Sequence, residues 1–422
     1  MDQDGARTER LLTLDALRGF AVMGIAAMNI VAFAMPDMAS VSPRAYDGET
    51  GADIAAWALG FILFDGKMRG LFSILFGASM ILIADRAEAA GQNAAAVHYR
   101  RMAWLGLFGI AHYVLIWWGD ILFLYAVVGC IAFKFRKWEP ARLLRWAAAL
   151  FAIGVLLHTA FFGAQLVIAH AGPESSMAAT GEAIRGQYAE IDTRVRHELA
   201  LYRGPWLPIV DERLDRIIRL LETLLMSLLE TLPLMMIGMA LLRGGFLAGA
   251  WDSAAYRRAA WRWLAPGLLL TLLVAWVQWW SNFDYIIAVN ATLGWAGPGR
   301  LMMTIGYAAL LILLVRHAPA HPVMARVAAA GRAAFSNYLG TSIVMTTIFY
   351  GYGLGLYGAV GRWPLYLFCL GLWGAMLLWS KPWLDRYLYG PLEWLWRSLA
   401  RGKLQPIWKK AEYAPVRLNR SS

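Results

Sequence analysis

The feature that most constrains this chain is a series of apolar runs, each about as long as an α-helix must be to cross a bilayer. About 20 mostly apolar residues, rising about 1.5 Å each, span a hydrocarbon core about 30 Å thick. Ten runs qualify, at residues 14–35, 54–85, 102–118, 120–134, 146–169, 224–242, 263–282, 301–316, 333–352 and 363–380. Composition agrees. The chain is 59% apolar and 16% charged, against about 45–50% and about 25% in an average soluble domain. A soluble enzyme is therefore excluded, and the fold class is an all-α integral membrane protein of about ten transmembrane helices. The 21 Trp, 18 Phe and 17 Tyr fit that class, because aromatic rings anchor membrane–water interfaces. Cys130 and Cys369 both lie in apolar runs and offer neither a disulfide framework nor a zinc site.

Two runs are irregular. The second is too long for one plain span and is interrupted by Asp65-Gly66-Lys67-Met68-Arg69-Gly70, so it reads as a short helix, a polar break and a second helix. The third and fourth are separated only by Gly119-Asp120 and form a tight helical hairpin.

Lys and Arg set the orientation, since loops on the cytoplasmic side are enriched in both. With the N-terminus inside, the inner segments carry 26 Lys and Arg, from Arg7 and Arg10 to the last nine between Lys381 and Arg420, whereas the short outer loops carry only Arg44, Arg300 and Arg362. The topology is N-in and C-in. The same bias accounts for the net charge of +11 through contact with anionic lipid, so membrane lipids are the partners and nucleic acid is not. Four segments follow: residues 1–169, an N-terminal helical bundle carrying the candidate site; 170–223, an extracytoplasmic segment; 224–380, a C-terminal bundle; and 381–422, a basic cytoplasmic tail. The segment 170–223 is amphipathic and helical in pattern, broken at Gly204-Pro205. It reads as a cap on the membrane surface or as a lid over an outer substrate site. The first apolar run carries no cleavage pattern and is read as an anchor.

An ionisable group inside a span is costly unless paired or wetted, which makes each one a functional candidate. Asp15 and Arg18 share a helix face at i,i+3; they form either a structural pair, or a pair in which Asp15 holds Arg18 toward an anionic donor. Asn29, further up the same helix, either bridges helices or hydrogen-bonds a reacting carbonyl. Asp65, Lys67 and Arg69 occupy the polar break, where irregular backbone requires a protein-buried or water-lined cavity. His112 is the best-centred histidine of any span, and histidine is the residue type suited to general-base work near neutral pH; the bland alternative is a satisfied core histidine. On a straight helix Asp120 would lie about 12 Å from His112, too far to orient it directly; either the fold supplies His112 with another partner, or Asp120 has a role of its own, such as gripping an acceptor. Glu230, before Pro233, and Asn337, low in the ninth span, either line a cavity or pack helices. Gly351-Tyr352-Gly353-Leu354-Gly355 is a turn rather than a phosphate loop. No His or Cys spacing supports a metal, and no Ser sits in a nucleophile elbow.

Several motifs together carry a resemblance. Leu14-Asp15-Ala16-Leu17-Arg18-Gly19, the run from Asp65 to Gly77, His112 with Gly119-Asp120-Ile121-Leu122, the run from Gly331 to Leu339, and the terminal Tyr389-Gly390-Pro391-Leu392-Glu393-Trp394-Leu395-Trp396-Arg397 resemble the YeiB-like family of bacterial inner-membrane proteins over nearly the whole chain. The first-helix pattern in turn resembles the transmembrane acyltransferase superfamily, which includes heparan-α-glucosaminide N-acetyltransferase. The resemblance implies an acyl-CoA entering from the cytoplasm and an acceptor, often a sugar, met within the membrane or on its far side; Arg18 and Asn29 match positions in that superfamily's first helix. The acetyltransferase branch carries a functional His soon after that helix. Residues 30–64 here contain none, and His112 takes its place on chemical grounds.

The reading is a bacterial inner-membrane acyltransferase without a metal. Acyl-CoA is the donor, and a small-molecule or glycan acceptor, sugar or lipid-linked, receives the acyl group. Arg18, Lys67 and Arg69 hold the donor's phosphates, and His112 takes the acceptor's proton. Asn29 polarises the thioester carbonyl. Asp65 and Asp120 position these groups or the acceptor, and Glu230 and Asn337 line the acceptor's cavity. The many aromatics point to a homodimer. The alternative is a transporter of an anionic or lipid-linked solute using the same cavity, which the broken second span also suits.

Overall fold

The computed structural model describes residues 3–409, with side chains for 12–187 and 189–409. The side chains of Arg7 and Arg10 and everything beyond residue 409, including the last basic residues of the tail, lie outside the described residues.

The described chain is helical, without a β-strand. The main helices are α1 (Gln3–Ala34), α2 (Gly51–Leu59), α3 (Lys67–Ala89), α4 (Ala94–Leu115), α5 (Leu122–Ala132), α6 (Pro140–Ala169), α7 (Ala178–Ala189), α8 (Ile191–Tyr202), α9 (Trp206–Asp215), α10 (Arg219–Arg243), α11 (Ser253–Trp280), α12 (Gly297–His317), α13 (Pro322–Arg332), α14 (Ala334–Phe349), α15 (Arg362–Arg386) and α16 (Pro391–Arg401). Seven helical stretches are long and apolar enough to cross a membrane, and shorter apolar helices lie at Leu122–Phe135 and Tyr285–Trp295. The chain thus has a multi-pass membrane architecture. Its surface agrees: only 17% of the apolar window of α6 and 22% of those of α11 and α15 is buried inside the protein. Leu156, Phe161, Trp276 and Trp280 project outward, and an apolar belt this large belongs in lipid rather than water.

Helix ends follow from local chemistry. Asn93 caps α4 by accepting the Ala96 N–H at 3.1 Å, and Asp252 caps α11 by accepting from Ala255 at 2.7 Å. Pro140 and Pro391 open α6 and α16, where their missing N–H is not needed. The expected break in the second run is present. A π-turn at Gly60–Phe64 ends α2, and Gly66, at φ +70°, turns the chain into α3, a conformation glycine adopts without strain. Met68, just beyond, packs on Gly24 near the middle of the apolar part of α1, so the break sits at mid-depth in the bundle.

The main core draws on both halves of the chain, from Leu14 and Met68 to Met235, Ala308 and Leu339. The segments 1–169 and 224–380 therefore share one interior, and α1 packs on α13, α14 and α15. Small residues allow the closest crossings. At the α3–α10 crossing, a Cβ on Gly77 would meet the Met235 carbonyl and one on Gly238 the Ile74 carbonyl. Gly238→Val is expected to cost about 1–3 kcal/mol through overpacking, read as a lower melting temperature and loss of a monodisperse size-exclusion peak in detergent. The helix ends at one face of the bundle are joined by basic side chains: Arg136 pairs with Glu88, Arg243 donates to the Trp138 carbonyl, and Arg316 donates to the Trp251 carbonyl. We call this the basic face. At the opposite face lie α7, α8 and α9 of the segment 170–223, docked through Trp206 Nε1 on the Leu115 carbonyl and Arg203 Nε on the Tyr357 carbonyl, 2.9 and 2.8 Å; we call this the capped face.

Candidate functional site

The hairpin between α4 and α5 brings together two residues that a straight helix would keep apart. The helix ends at Leu115, three residues before the expected limit of the span, and the chain reverses through Ile116–Ile121. Asp120 thereby folds back. Its Oδ1 accepts the Phe123 N–H at 2.8 Å and caps α5, while its Oδ2 accepts from His112 Nδ1 at 2.8 Å. The expectation that Asp120 lies too far away to orient His112 is corrected by this turn. The pair is buried, with His112 1% and Asp120 5% exposed. With Nδ1 donating to the carboxylate, Nε2 is left as the basic nitrogen.

That Nε2 has no hydrogen-bond partner among the described residues, and neither does the buried Nε1 of Trp117, whose ring centroid lies 6.3 Å from the imidazole. Buried polar atoms are nearly always satisfied, so two unpartnered atoms on neighbouring rings single out this part of the hairpin as a functional candidate. Phe33 stacks on Trp117 at 3.9 Å. Asn29, half-buried, lies one turn below Phe33 on α1. Tyr338 packs on His112 with centroids 5.3 Å apart. Its hydroxyl ties the hairpin loop by donating to the Gly119 carbonyl and accepting the Ile121 N–H, both at 3.3 Å.

A cavity of about 200 Å³ runs from the basic face to this hairpin. Arg18, Arg101, Arg332 and Arg397 supply its cationic side, and Ile121, Tyr125 and Tyr338 line its inner part. Tyr338 therefore separates the cavity from His112. From Arg101 and Arg397 an open groove continues along the basic face, lined also by Arg86, Arg100, Arg401 and Lys403. Arg18 donates to Asp15 Oδ1 at 3.0 Å and to Ser79 Oγ at 3.1 Å, so the i,i+3 pair forms and holds a guanidinium at the cavity wall. The terminal helix α16 closes one side. Glu393 caps α14, its Oε1 accepting the Phe335 and Ser336 N–H groups at 2.7 and 3.1 Å and its Oε2 the Ser336 hydroxyl at 2.6 Å. Trp396 and Tyr389 then carry Arg101 and Arg397 on their ring faces, at 4.1 and 4.5 Å. Part of the expected tail is thus folded against the bundle.

The polar break is organised differently from the expectation. Asp65 pairs with Arg300, Arg69 Nη2 pairs with Glu230 at 2.6 Å, and Lys67 Nζ donates to the Phe61 carbonyl at 2.5 Å. Lys67 and Arg69 are not among the residues lining the cavity that Arg18 lines, and the partner of Asp65 is Arg300 whereas that of His112 is Asp120; each charge of the break is taken up by its own partner at mid-depth. Arg300, assigned above to an outer loop, sits on the first turn of α12. Glu230 also lines a small cleft with His158 and Arg300. Asn337 is taken up in helix packing: its amide donates to the Ala330 carbonyl and Ser380 and accepts from Trp379 Nε1, joining α13, α14 and α15. Sequence reading passed over Trp117, Tyr338, Arg101 and Arg397 as site residues, although Tyr338 and Arg397 stand inside the motifs that carried the resemblance.

At the far face Glu198 of α8 accepts the Asp37 N–H at 2.9 Å and the Tyr357 hydroxyl at 3.4 Å. Burial first, and then the Asp37 carboxylate, push its pKa up to about 8; Tyr357 and, in the cleft that Glu198 lines, Tyr113, His197, Tyr202, Glu212, Arg213, Arg216 and Arg219 are titratable or charged groups around it. A carboxyl whose folded pKa is raised stabilises the fold fully below its unfolded value near 4.5, and that contribution is lost as pH rises through about 8. The melting temperature is therefore expected to fall between pH 6 and 9, and Glu198→Gln to flatten this slope. An unchanged slope in the variant contradicts the assignment.

With this geometry in place, comparison with known proteins identifies the lineage. Over 401 residues the chain is 30% identical to "Uncharacterized protein YeiB" of Escherichia coli (strain K12), covering 93% of this chain and 96% of that protein. The chain belongs to the YeiB family. It is also 30% identical to "Uncharacterized protein YxaH" of Bacillus subtilis (strain 168) over 96% of this chain and 97% of that one. A third relative, "Uncharacterized 39.9 kDa protein in amylase 3'region" of Bacillus acidopullulyticus, is 25% identical over 96% of this chain and 98% of its own length. Residues 241–403 match the family described as "Protein of unknown function (DUF418)"; this stretch holds Asn337, Tyr338 and Arg397, while His112 and Asp120 lie outside it. No solved structure matches the chain.

Proposed function

We propose that this member of the YeiB family is a membrane acyltransferase that takes an acyl group from acyl-CoA at the basic face and passes it to an acceptor reached from the capped face. The observation that carries this reading is the alignment of an arginine-rich groove, a narrow cavity and, behind Tyr338, a buried His112–Asp120 pair with its Nε2 free. The bundle is inserted as ten spans, α1, α3 with its preceding break, α4, α5, α6, α10, α11, α12, α14 and α15, in the bacterial cytoplasmic membrane, with both termini and the basic face inside.

The donor's phosphates lie on Arg101, Arg397 and the groove, since guanidinium forks match phosphate oxygens; Arg18 and Arg332 flank the pantetheine arm. Lys67 and Arg69 serve the mid-depth ion pairs instead. The thioester reaches the hairpin when Tyr338 swings aside. His112 Nε2 takes the acceptor's hydroxyl or amine proton as the acceptor atom bonds to the acyl carbon. The C–S bond breaks, and the proton passes from His112 to the leaving CoA sulfur. Asp120 holds the imidazole in the required tautomer and stabilises its cationic form. Trp117 Nε1, with Asn29 below it, supplies the donor to the developing oxyanion.

The test is acetyl-CoA affinity of the purified full-length protein, measured by equilibrium dialysis. The double variant R101Q/R397Q is expected to bind at least about tenfold more weakly, the size of losing charge-assisted contacts. Equal binding by wild type and variant, or no binding by wild type, contradicts the reading. A cavity that binds a solute but releases no CoA thiol would favour the transporter.

A further inference from the structure

The capped face holds a second cleft, unconnected to the basic groove in its residues. Tyr113, Trp118 and Tyr202 line it, together with Arg213, Arg216 and Arg219 at the junction of α9 and α10. Arg213 is the unusual member. It is 4% exposed, its Nη1 donates to the Val114 carbonyl at 3.3 Å, and its Nε and Nη2 have no hydrogen-bond partner among the described residues. A buried guanidinium without an ion pair is costly. Three carboxylates line the cleft and none forms an ion pair with Arg213 among the described residues: Glu212 pairs with Arg216 at 2.6 Å and faces His197 at 3.5 Å, Glu198 accepts from the Asp37 N–H and Tyr357, and the Asp37 side chain stands against Glu198. The hydroxyls of Tyr202 and Tyr350 bear on the guanidinium as hydrogen-bonding groups, neutral neighbours that bring no counter-charge.

The free atoms are the informative part. Nε and Nη2 form one edge of the guanidinium plane, two parallel N–H groups spaced to receive two oxygens of one oxyanion. Arg219 lines the same cleft and makes no ion pair among the described residues, so a second positive charge is at hand. Trp118 and Tyr202 offer apolar ring surface beside it. The cleft also adjoins the proposed centre, because Tyr113 follows His112 in the chain and Trp118 packs on Trp117 at 5.6 Å.

We propose that the Nε–Nη2 edge of Arg213 recognises a phosphate carried by the acceptor, so that the acceptor is a phosphate ester rather than a neutral sugar. The word acceptor rests on the acyl-transfer reading; the phosphate site does not. Its phosphate comes either from a soluble ester or from a lipid headgroup at the membrane surface, and the two are separable.

The experiment uses full-length protein purified in dodecyl maltoside and reads the melting temperature during titration with glycerol phosphate, with phosphatidylglycerol in mixed micelles, with diacylglycerol as the uncharged lipid, and with glucuronate. A saturable upward shift with glycerol phosphate assigns a soluble ester; a shift with phosphatidylglycerol alone assigns a lipid headgroup. Either is expected to need at least about tenfold more probe for half-effect in R213Q and in R213K, which keeps the charge but loses the fork. Should both variants fail to fold, R219Q at the cleft rim must raise the half-effect concentration about threefold, one salt-screened contact's worth. The proposal is overturned if no phosphate probe shifts the wild type, if the shift is equal in these variants, or if glucuronate or diacylglycerol acts and phosphate does not. Acetyl-CoA is titrated into the same samples. A phosphate shift that depends on Arg213 alongside no acetyl-CoA shift would fell the acyl-transfer reading and leave this site standing; the reverse pair of results would fell the site alone.

Discussion

Replacing His112 with Ala is expected to lower acyl transfer by about 10²–10⁴, the range that a positioned general base contributes. The measurement is release of free CoA thiol from acetyl-CoA by membranes containing the full-length protein. The reason lies in the hairpin: Asp120 fixes His112 Nδ1 at 2.8 Å and leaves Nε2 as the proton acceptor. Asp120→Asn reverses the donor at Nδ1 and is expected to lower the rate nearly as far, by disfavouring the productive tautomer. Acetyl-CoA affinity should change little in either variant, because neither residue lines the donor cavity. A variant that loses affinity and rate together would point to a collapsed hairpin rather than to a missing base. The discriminating control is Tyr338→Phe. It keeps the ring against His112 but loses the hydroxyl that ties Gly119 and Ile121, so it is expected to loosen the barrier between cavity and imidazole without removing the base.

The second large effect is on stability. Arg69→Gln leaves Glu230 without its counter-ion at mid-depth; breaking a fully buried pair from one side costs about 3–5 kcal/mol, and this pair, with each side chain 25% exposed, is expected to cost less than that. The expected result is a clear fall in melting temperature for R69Q. The pair-removing variant R69M/E230L should recover most of it, because matched apolar side chains need no partner in a low-dielectric interior. If R69Q is as stable as wild type and instead loses acetyl-CoA affinity, Arg69 belongs to the donor site after all. The same logic holds for Asp65 and Arg300.

These two predictions also mark what was legible in the sequence and what was not. The helical membrane architecture, the break at Asp65–Gly70 and the helical character of 170–223 were legible, because each is written in contiguous residues. The i,i+3 pair of Asp15 and Arg18 was legible for the same reason. The partners of the buried charges were not. Asp65 and Arg300 are 235 positions apart, and Arg69 and Glu230 are 161 apart; only the packing of α3 between α10 and α12 joins them. The His112–Asp120 contact escaped because it depends on where α4 stops, a boundary that composition does not fix within a run as apolar as Leu107–Trp118. The arginines of the mouth were assigned to inner loops. Their role appears only once α16, clamped by Glu393 onto α14, brings Trp396 and Arg397 over Arg101.

The central claim is that acyl-CoA enters from the basic face and delivers its acyl group to His112. The most direct measurement is a cryo-electron microscopy structure of the full-length protein in lipid nanodiscs with a hydrolysis-resistant acyl-CoA analogue. The account predicts nucleotide and phosphate density on Arg101 and Arg397, a pantetheine arm past Arg18, and the carbonyl within hydrogen-bond reach of Trp117 Nε1 and beside His112 Nε2, with Tyr338 displaced. An analogue absent from that cavity at saturating concentration, or one bound with its thioester away from the α4–α5 hairpin, contradicts it.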